Sequence, residues 1–118
     1  MQLQRYGGME KRTRMVDLCE DALWSVVRGR SPLVGTAIHD GHLLRKDLMD
    51  LTALTPEERL REEDPFTAII IEDLANRVTV HRSRSEMDLN RPRDGAVYLR
   101  PAQAWGLDVW RTAPAPDI

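Results

Sequence analysis

Twelve residues near the middle of the first half of the chain decide the fold, Ser31-Pro32-Leu33-Val34-Gly35-Thr36-Ala37-Ile38-His39-Asp40-Gly41-His42. Residues 33–39 are mostly apolar or β-branched and lie between turn residues, which predicts a buried strand. His39 and His42 stand at its carboxyl end, where open α/β sheets bind their ligands. Gly41 lets the backbone turn without a side-chain clash, so both imidazoles can face one point. Because imidazole nitrogen is a favoured zinc ligand, the stretch predicts an α/β fold with a candidate metal site. The alternative is a solvated Asp-Gly turn.

The residues before this strand allow two interpretations. Apolar side chains from Met15 to Val26 follow helical spacing, whereas residues 24–27 taken alone resemble a first strand. The polar residues 1–14 predict a poorly ordered start. We therefore expect one α/β domain over residues 15–111, followed by a loose, proline-containing tail over residues 112–118.

Two helices are predicted after the histidines. Leucines in residues 43–51 share one face of a helix. The second helix begins at Thr55, where Pro56 suits the first helical position and Glu58 completes a capping box. It is predicted to end before Pro65, because a proline disfavours helical geometry in the preceding residue.

The second half of the chain contains a run of three carboxylates and a further strand. Residues 62–64 (Glu-Glu-Asp) predict a solvated helix end, and the alternative is that one of them binds a metal held by His39. Residues 66–75 are apolar and ambiguous between helix and strand. Residues 77–84 alternate in polarity and predict a strand. Its His81 is expected to face solvent or a hydrogen-bond partner rather than a metal.

Length and composition limit the class of protein. A chain of 118 residues with 42% apolar and 31% charged residues is typical of one small globular domain rather than a disordered segment. Cys19 is the only cysteine, so no intrachain disulfide can form, and we expect a cytoplasmic protein. No apolar run approaches the ~20 residues that span a bilayer, so we expect no membrane partner.

The net charge of −2 does not favour a nucleic-acid partner. Arg84, Arg91 and Arg93 form a candidate phosphate patch, but acidic neighbours oppose it and no aromatic residues are interleaved. We therefore predict no nucleic-acid partner, with a small nucleic-acid-binding module as the alternative. A small carboxylate is a better ligand, because guanidinium groups bind carboxylates through two hydrogen bonds and Asn90 can add another.

Four blocks of sequence together resemble the N-formylglutamate amidohydrolase family, and the last is the most specific: residues 31–34 (Ser-Pro-Leu-Val), residues 37–42 (Ala-Ile-His-Asp-Gly-His), residues 61–66 (Arg-Glu-Glu-Asp-Pro-Phe) and residues 83–92 (Ser-Arg-Ser-Glu-Met-Asp-Leu-Asn-Arg-Pro). That family is similar in turn to the zinc carboxypeptidases and the aspartoacylase-like enzymes. The resemblance implies a partial three-layer α/β/α sandwich of the zinc-peptidase-like type.

The resemblance also implies a function and a set of site residues. The chain would be a zinc-dependent hydrolase of an N-acyl amide on a small acidic amino acid, such as N-formylglutamate. His39 would be the first zinc ligand and Glu63 or Asp64 the second, with His42 as an alternative ligand to Glu63. Glu63 would be the catalytic carboxylate that shuttles protons. Three side chains would hold the substrate carboxylates: Arg84, Asn90 and Arg91.

The family resemblance implies that this chain corresponds to an N-terminal half, because family members are longer and carry a further histidine ligand in their later region. A catalytic zinc site generally has three protein ligands. Half of a three-layer fold would leave sheet and helix faces unburied, so we expect a homo-oligomer or marginal stability. The alternative function is that of a non-catalytic remnant that binds a small ligand or a protein partner.

Overall fold

The structure is a computed structural model that describes residues 23–116. Its sheet has three strands: β1 (Trp24–Val27), β2 (Gly35–Ala37) and β3 (Arg77–Val80). β3 lies in the centre, antiparallel to β1 and parallel to β2. In this register Val78 lies opposite both Val26 and Thr36. The mixed α/β class predicted from the sequence is confirmed.

Three short helices accompany the sheet: α1 (Lys46–Met49), α2 (Pro56–Glu62) and α3 (Thr67–Ile70). Two 3-10 turns, Arg93–Gly95 and Pro101–Gln103, follow β3. Among the described residues, no helix is long and apolar enough to cross a bilayer.

The structure decides between the two interpretations of the first apolar segment. Residues 24–27 form β1, because each of them pairs with a residue of β3, from Trp24 opposite Val80 to Val27 opposite Arg77. The predictions for residues 1–14 and for the helical pattern that starts at Met15 fall on residues 1–22, which lie outside the described part of the chain.

The strand predicted over residues 33–39 is shorter than expected. β2 covers only Gly35–Ala37, and the apolar side chains of Leu33 and Val34 are exposed rather than buried. The reason is Asn76, whose side-chain amide donates hydrogen bonds to the carbonyl groups of Ser31 and Leu33 at 2.9 and 3.0 Å. These carbonyl groups are therefore satisfied by a side chain and not by a neighbouring strand.

The helix predicted over residues 43–51 is also shorter, since α1 covers only Lys46–Met49. Leu43 instead continues the sheet ladder beside Arg82: its amide donates to the carbonyl of His81, and its carbonyl accepts from the amide of Ser83. Backbone pairing at Leu43 therefore replaces the first predicted helical turn.

The predicted start of α2 is confirmed in detail. The Glu58 amide donates to Thr55 Oγ1 at 3.2 Å, and the Thr55 amide donates to Glu58 Oε2 at 2.8 Å. These bonds lower the pKa of the Glu58 carboxyl group. The helix ends at Glu62, ahead of Pro65 as predicted.

The strand predicted over residues 77–84 ends at Val80. Beyond it, the bridge between Leu43 and Arg82 and a hydrogen bond from the His81 amide to the Leu23 carbonyl extend its pairing. A hydrogen bond at 2.6 Å joins His81 Nε2 and Ser25 Oγ, which agrees with the prediction that this histidine has a hydrogen-bond partner. The ambiguous segment 66–75 contains α3, which is only one turn long.

A small hydrophobic core joins one residue that precedes β3 in sequence to several that follow it. It consists of Leu54, Tyr98, Ala104 and Val109, with Leu107 and Trp110 packed against it. Trp110 thus packs against the core, whereas the side chain of Trp105 is exposed.

Candidate metal and substrate site

The candidate site lies at the carboxyl ends of β2 and β3. Because the two strands are parallel, the segments that follow them leave the sheet at the same edge. His39 comes two residues after β2, and the segment from Ser83 to Arg91 follows β3. The end of α2 joins them through the Asp64 amide, which donates to the His39 carbonyl at 3.0 Å.

Gly41 brings these segments together by close backbone packing. A Cβ atom on Gly41 would lie 2.2 Å from the carbonyl carbon of His81 and 2.6 Å from the amide nitrogen of Arg82. The glycine is therefore needed because two stretches of backbone touch at this point, and any larger residue would push them apart.

His39 is held between two carboxylates. The residue is 6% exposed, and its Nε2 donates to Asp88 Oδ1 at 2.8 Å. Its other nitrogen, Nδ1, lies 3.4 Å from Asp64 Oδ2. In the neutral ring the proton sits on Nε2, so the lone pair of Nδ1 faces a carboxylate oxygen.

Asp88 is only 1% exposed, and it is the most heavily hydrogen-bonded group of the site. It accepts from the Tyr98 hydroxyl, from the Asn90 amide at 2.8 Å and from Arg84 Nη2 at 3.0 Å, in addition to His39. Burial alone would raise the pKa of this carboxyl group. These hydrogen bonds outweigh burial and hold the pKa of Asp88 well below its usual range. The carboxylate therefore stays ionised and keeps the His39 proton on Nε2.

The pair formed by His39 and Asp64 fits two positions of a metal site. Two acceptor atoms at 3.4 Å repel each other unless a proton or a metal cation lies between them. Zinc bonded to nitrogen and oxygen at 2.0–2.2 Å in tetrahedral geometry holds neighbouring ligand atoms roughly 3.3–3.5 Å apart. Zinc-binding histidines also generally donate their second ring nitrogen to a carboxylate, as His39 does to Asp88. Within residues 23–116, no group of three His, Cys, Asp or Glu side chains is arranged to hold a metal ion.

Glu63 and His42 form a second pair. His42 Nδ1 donates to Glu63 Oε2 at 2.6 Å, and Ser83 Oγ donates to Glu63 Oε1. Arg59 Nη1 lies 3.6 Å from the same Oε1 and donates to the His42 carbonyl. The side chain of Glu63 is completely buried, while that of His42 is 41% exposed. The predicted solvated helix end is therefore wrong at Glu63, because neighbours 20 and 21 residues away in sequence enclose its carboxylate.

The arginines predicted to bind substrate differ in their surroundings. Arg84 is largely buried, with Nη2 on Asp88 and Nη1 3.7 Å from Asp64 Oδ2. Burial would lower its pKa, but hydrogen bonds to Tyr98 and Asp88 raise it. Arg91 is 33% exposed, and its Nε lies 3.3 Å from Asp88 Oδ2. Its guanidinium carbon stacks 4.8 Å from the centre of the Tyr98 ring. Asn90 is exposed, and its backbone amide donates to Asp88 Oδ1.

Sequence reasoning missed four residues of this region: Arg59, Ser83, Tyr98 and Trp105. Arg59 carries a local signal, since it precedes Glu63 by four positions on the same helix face. Tyr98 carries none, because its hydroxyl reaches Asp88 from ten residues downstream through the fold of the chain.

Comparison with protein families supplies the decisive observation. The model of the family described as N-formylglutamate amidohydrolase matches residues 31–115, which is well over half of the chain. The chain belongs to the N-formylglutamate amidohydrolase family. The matched range includes every residue of the candidate site described above, from His39 to Tyr98. Comparison with curated proteins and with solved structures found no match.

Proposed function

We propose that this chain is a metal-dependent amidohydrolase domain that removes an N-acyl group from a small acidic amino acid such as N-formylglutamate. Family membership supports the reaction class. The observation that carries the metal dependence is the pair formed by His39 Nδ1 and Asp64 Oδ2, two possible ligand atoms that lie 3.4 Å apart. Asp88 on the far side of the His39 ring holds the tautomer that such a site requires.

His39 and Asp64 are the residues that would hold zinc. Bound zinc supplies Lewis acidity, which polarises a carbonyl group and lowers the pKa of a water molecule to near neutrality. A catalytic zinc site generally has three protein ligands. We propose that the third comes from outside the described residues, because within them no group of three His, Cys, Asp or Glu side chains is arranged to hold a metal ion.

Arg91 is the side chain best placed to hold a substrate carboxylate. Its Nε faces Asp88 and its guanidinium plane stacks on Tyr98, so the side chain is held in one orientation. The two Nη atoms form the remaining edge of the guanidinium group, and this edge matches the two oxygens of a carboxylate. Asn90 is exposed directly beside it and can add an amide hydrogen bond.

His42 and Glu63 are proposed to handle protons together. Glu63 is buried and bonds to Ser83 and to His42 Nδ1, so its carboxylate can reach substrate only through the imidazole. His42 Nε2 is the ring atom that points away from Glu63, and the imidazole is partly exposed. In this arrangement Glu63 orients the ring, and His42 Nε2 exchanges protons with the reacting groups.

We also propose that the three-stranded sheet is part of a zinc-peptidase-like α/β/α sandwich. Trp24 on β1, and Leu33 and Val34 before β2, are exposed apolar residues that a further layer would cover. A second copy of the chain would supply such a layer. The alternative function is that of a non-catalytic domain that binds the acidic ligand without cleaving it.

Two measurements on the purified full chain test the proposed function. We expect close to one zinc ion per chain after dialysis against a weak chelator, and formate release from N-formyl-L-glutamate that stops when zinc is removed and returns when it is restored. Bound N-formyl-L-glutamate without formate release would favour the non-catalytic alternative. A chain that neither retains zinc nor binds N-formyl-L-glutamate would contradict both.

Replacing Arg91 with Lys is expected to weaken binding of N-formyl-L-glutamate at least about tenfold, because an ammonium group cannot reproduce a two-bond contact worth ~1.5–3 kcal/mol per charged hydrogen bond. Calorimetric titration of the folded variant measures the change. Arg93→Lys is the matched control, since Arg93 is exposed in the same segment. Equal affinity in the two variants would mean that Arg91 supports Asp88 and does not touch substrate.

A further inference from the structure

Trp105 combines exposure with an unfavourable backbone conformation. Its side chain is 55% exposed, although large aromatic residues are usually buried for most of their surface. Its φ angle is +52°, in the left-handed region that a bulky residue seldom adopts. Such conformations persist only where the surrounding structure enforces them, and they concentrate at binding sites.

Backbone hydrogen bonds around the 3-10 turn Pro101–Gln103 enforce this conformation. The Gly106 amide donates to the Pro101 carbonyl at 2.8 Å, and the Leu107 amide donates to the carbonyl of the buried Ala104 at 2.8 Å. Trp105 is therefore held away from the hydrophobic core that its neighbours join.

The indole is tied to the candidate site by two side chains. The guanidinium carbon of Arg84 lies 4.8 Å from the centre of the indole ring, and the Tyr98 ring meets it edge to face at 5.9 Å and 75°. Arg84 in turn contacts Asp64, which faces His39, and Tyr98 carries the stacked guanidinium group of Arg91. A single side chain, Arg84, thus lies between Trp105 and the proposed metal ligand Asp64. Likewise, Tyr98 lies between Trp105 and the proposed carboxylate-binding Arg91.

We propose that Trp105 is a specificity-determining residue whose exposed indole surface binds the acyl group of the substrate. This inference rests on the proposed function, in which Arg91 holds the amino-acid carboxylate. A substrate anchored there, with its amide directed to His39 and Asp64, leaves its acyl group as the part free to contact the indole. A flat apolar acyl group gains from stacking on an aromatic ring, whereas a formyl group is too small to do so. The site therefore prefers N-aroyl over N-formyl derivatives of the same acidic amino acid.

The experiment compares two ligands, N-benzoyl-L-glutamate and N-formyl-L-glutamate, on metal-free full-length chain so that hydrolysis does not consume them. We expect the wild type to bind the benzoyl ligand roughly 3- to 10-fold more tightly, the gain typical of one aromatic pair. Trp105→Ala should abolish this preference while leaving the affinity for the formyl ligand unchanged. Trp105→Phe should retain most of it. Trp24→Ala is the matched control, because Trp24 is 56% exposed but lies on β1.

Several results would overturn the inference. Equal weakening of both ligands in Trp105→Ala would show a structural role through Arg84 or Tyr98. A wild type that binds both ligands equally would refute the acyl contact even if Trp105→Ala fails to fold, and it would leave the proposed function standing. A wild type that binds neither ligand would remove the proposed function and this inference together.

Discussion

Replacing Asp88 with Asn destabilises the folded chain by roughly 3–5 kcal/mol, the cost of removing one partner from a buried charged network. Asn is almost isosteric, so the loss is electrostatic and not one of packing. Without the negative charge, the buried guanidinium group of Arg84 loses the carboxylate that lies 3.0 Å from its Nη2. The Tyr98 hydroxyl and the His39 ring also lose a carboxylate acceptor. Urea unfolding followed by circular dichroism measures the change.

Asp94→Asn is the control for this substitution, because Asp94 lies in the same segment and is exposed. Its free energy of unfolding should stay within about 0.5 kcal/mol of the wild type. Complete unfolding of the Asp88→Asn chain in buffer would agree with the prediction. A change as small as that of Asp94→Asn would mean that the arginine and tyrosine find other partners.

The same carboxylate makes stability depend on pH in acid. A folded-state pKa below that of the unfolded chain means that ionised Asp88 stabilises the fold fully above the unfolded value of about 3.9 and progressively less as the pH falls below it. Unfolding free energies between pH 7 and pH 2 should therefore decline from about pH 4 downward. The part of this decline that belongs to Asp88 should be missing from any Asp88→Asn chain that still folds.

Replacing His39 with Ala is expected to lower the affinity for zinc by roughly 100-fold or more, since even the groups that only support a zinc ligand contribute up to that factor. The substitution removes Nδ1, the atom that faces Asp64 Oδ2 at 3.4 Å. Zinc content after dialysis, and titration with a zinc-sensitive dye, measure the loss. Circular dichroism checks the fold, because His39 also bonds to the buried Asp88.

Two other histidines make this test specific. His81→Ala should retain zinc, because His81 bonds to Ser25 on β1. His42→Ala separates the two ligand sets that the sequence left open: under our proposal it retains zinc and loses formate release. Zinc retained by His39→Ala but lost in His42→Ala would place the metal at His42 and Glu63 instead.

The features that the sequence determined by itself depend on neighbouring residues. The start of α2 was predictable because both bonds of the capping box join residues three positions apart, Thr55 and Glu58. The position of His39 at the carboxyl end of a strand was predictable for the same reason, since the apolar run and the turn that ends it are adjacent in sequence. The four blocks that resemble the family are likewise read directly from the chain, and the family match agrees with them.

The features that only the tertiary structure decided depend on partners that are distant in sequence. His39 and Asp88 are 49 residues apart, and their contact selects the histidine tautomer. Glu63 is polar and follows a helix of charged residues, so its local sequence indicates exposure, yet Ser83 and His42 bury it. Residues 24–27 became a strand because β3 lies beside them. Local hydrogen bonds and spacing are set by the order of residues, whereas burial, charge pairing and strand pairing are set by which distant segments the fold brings together.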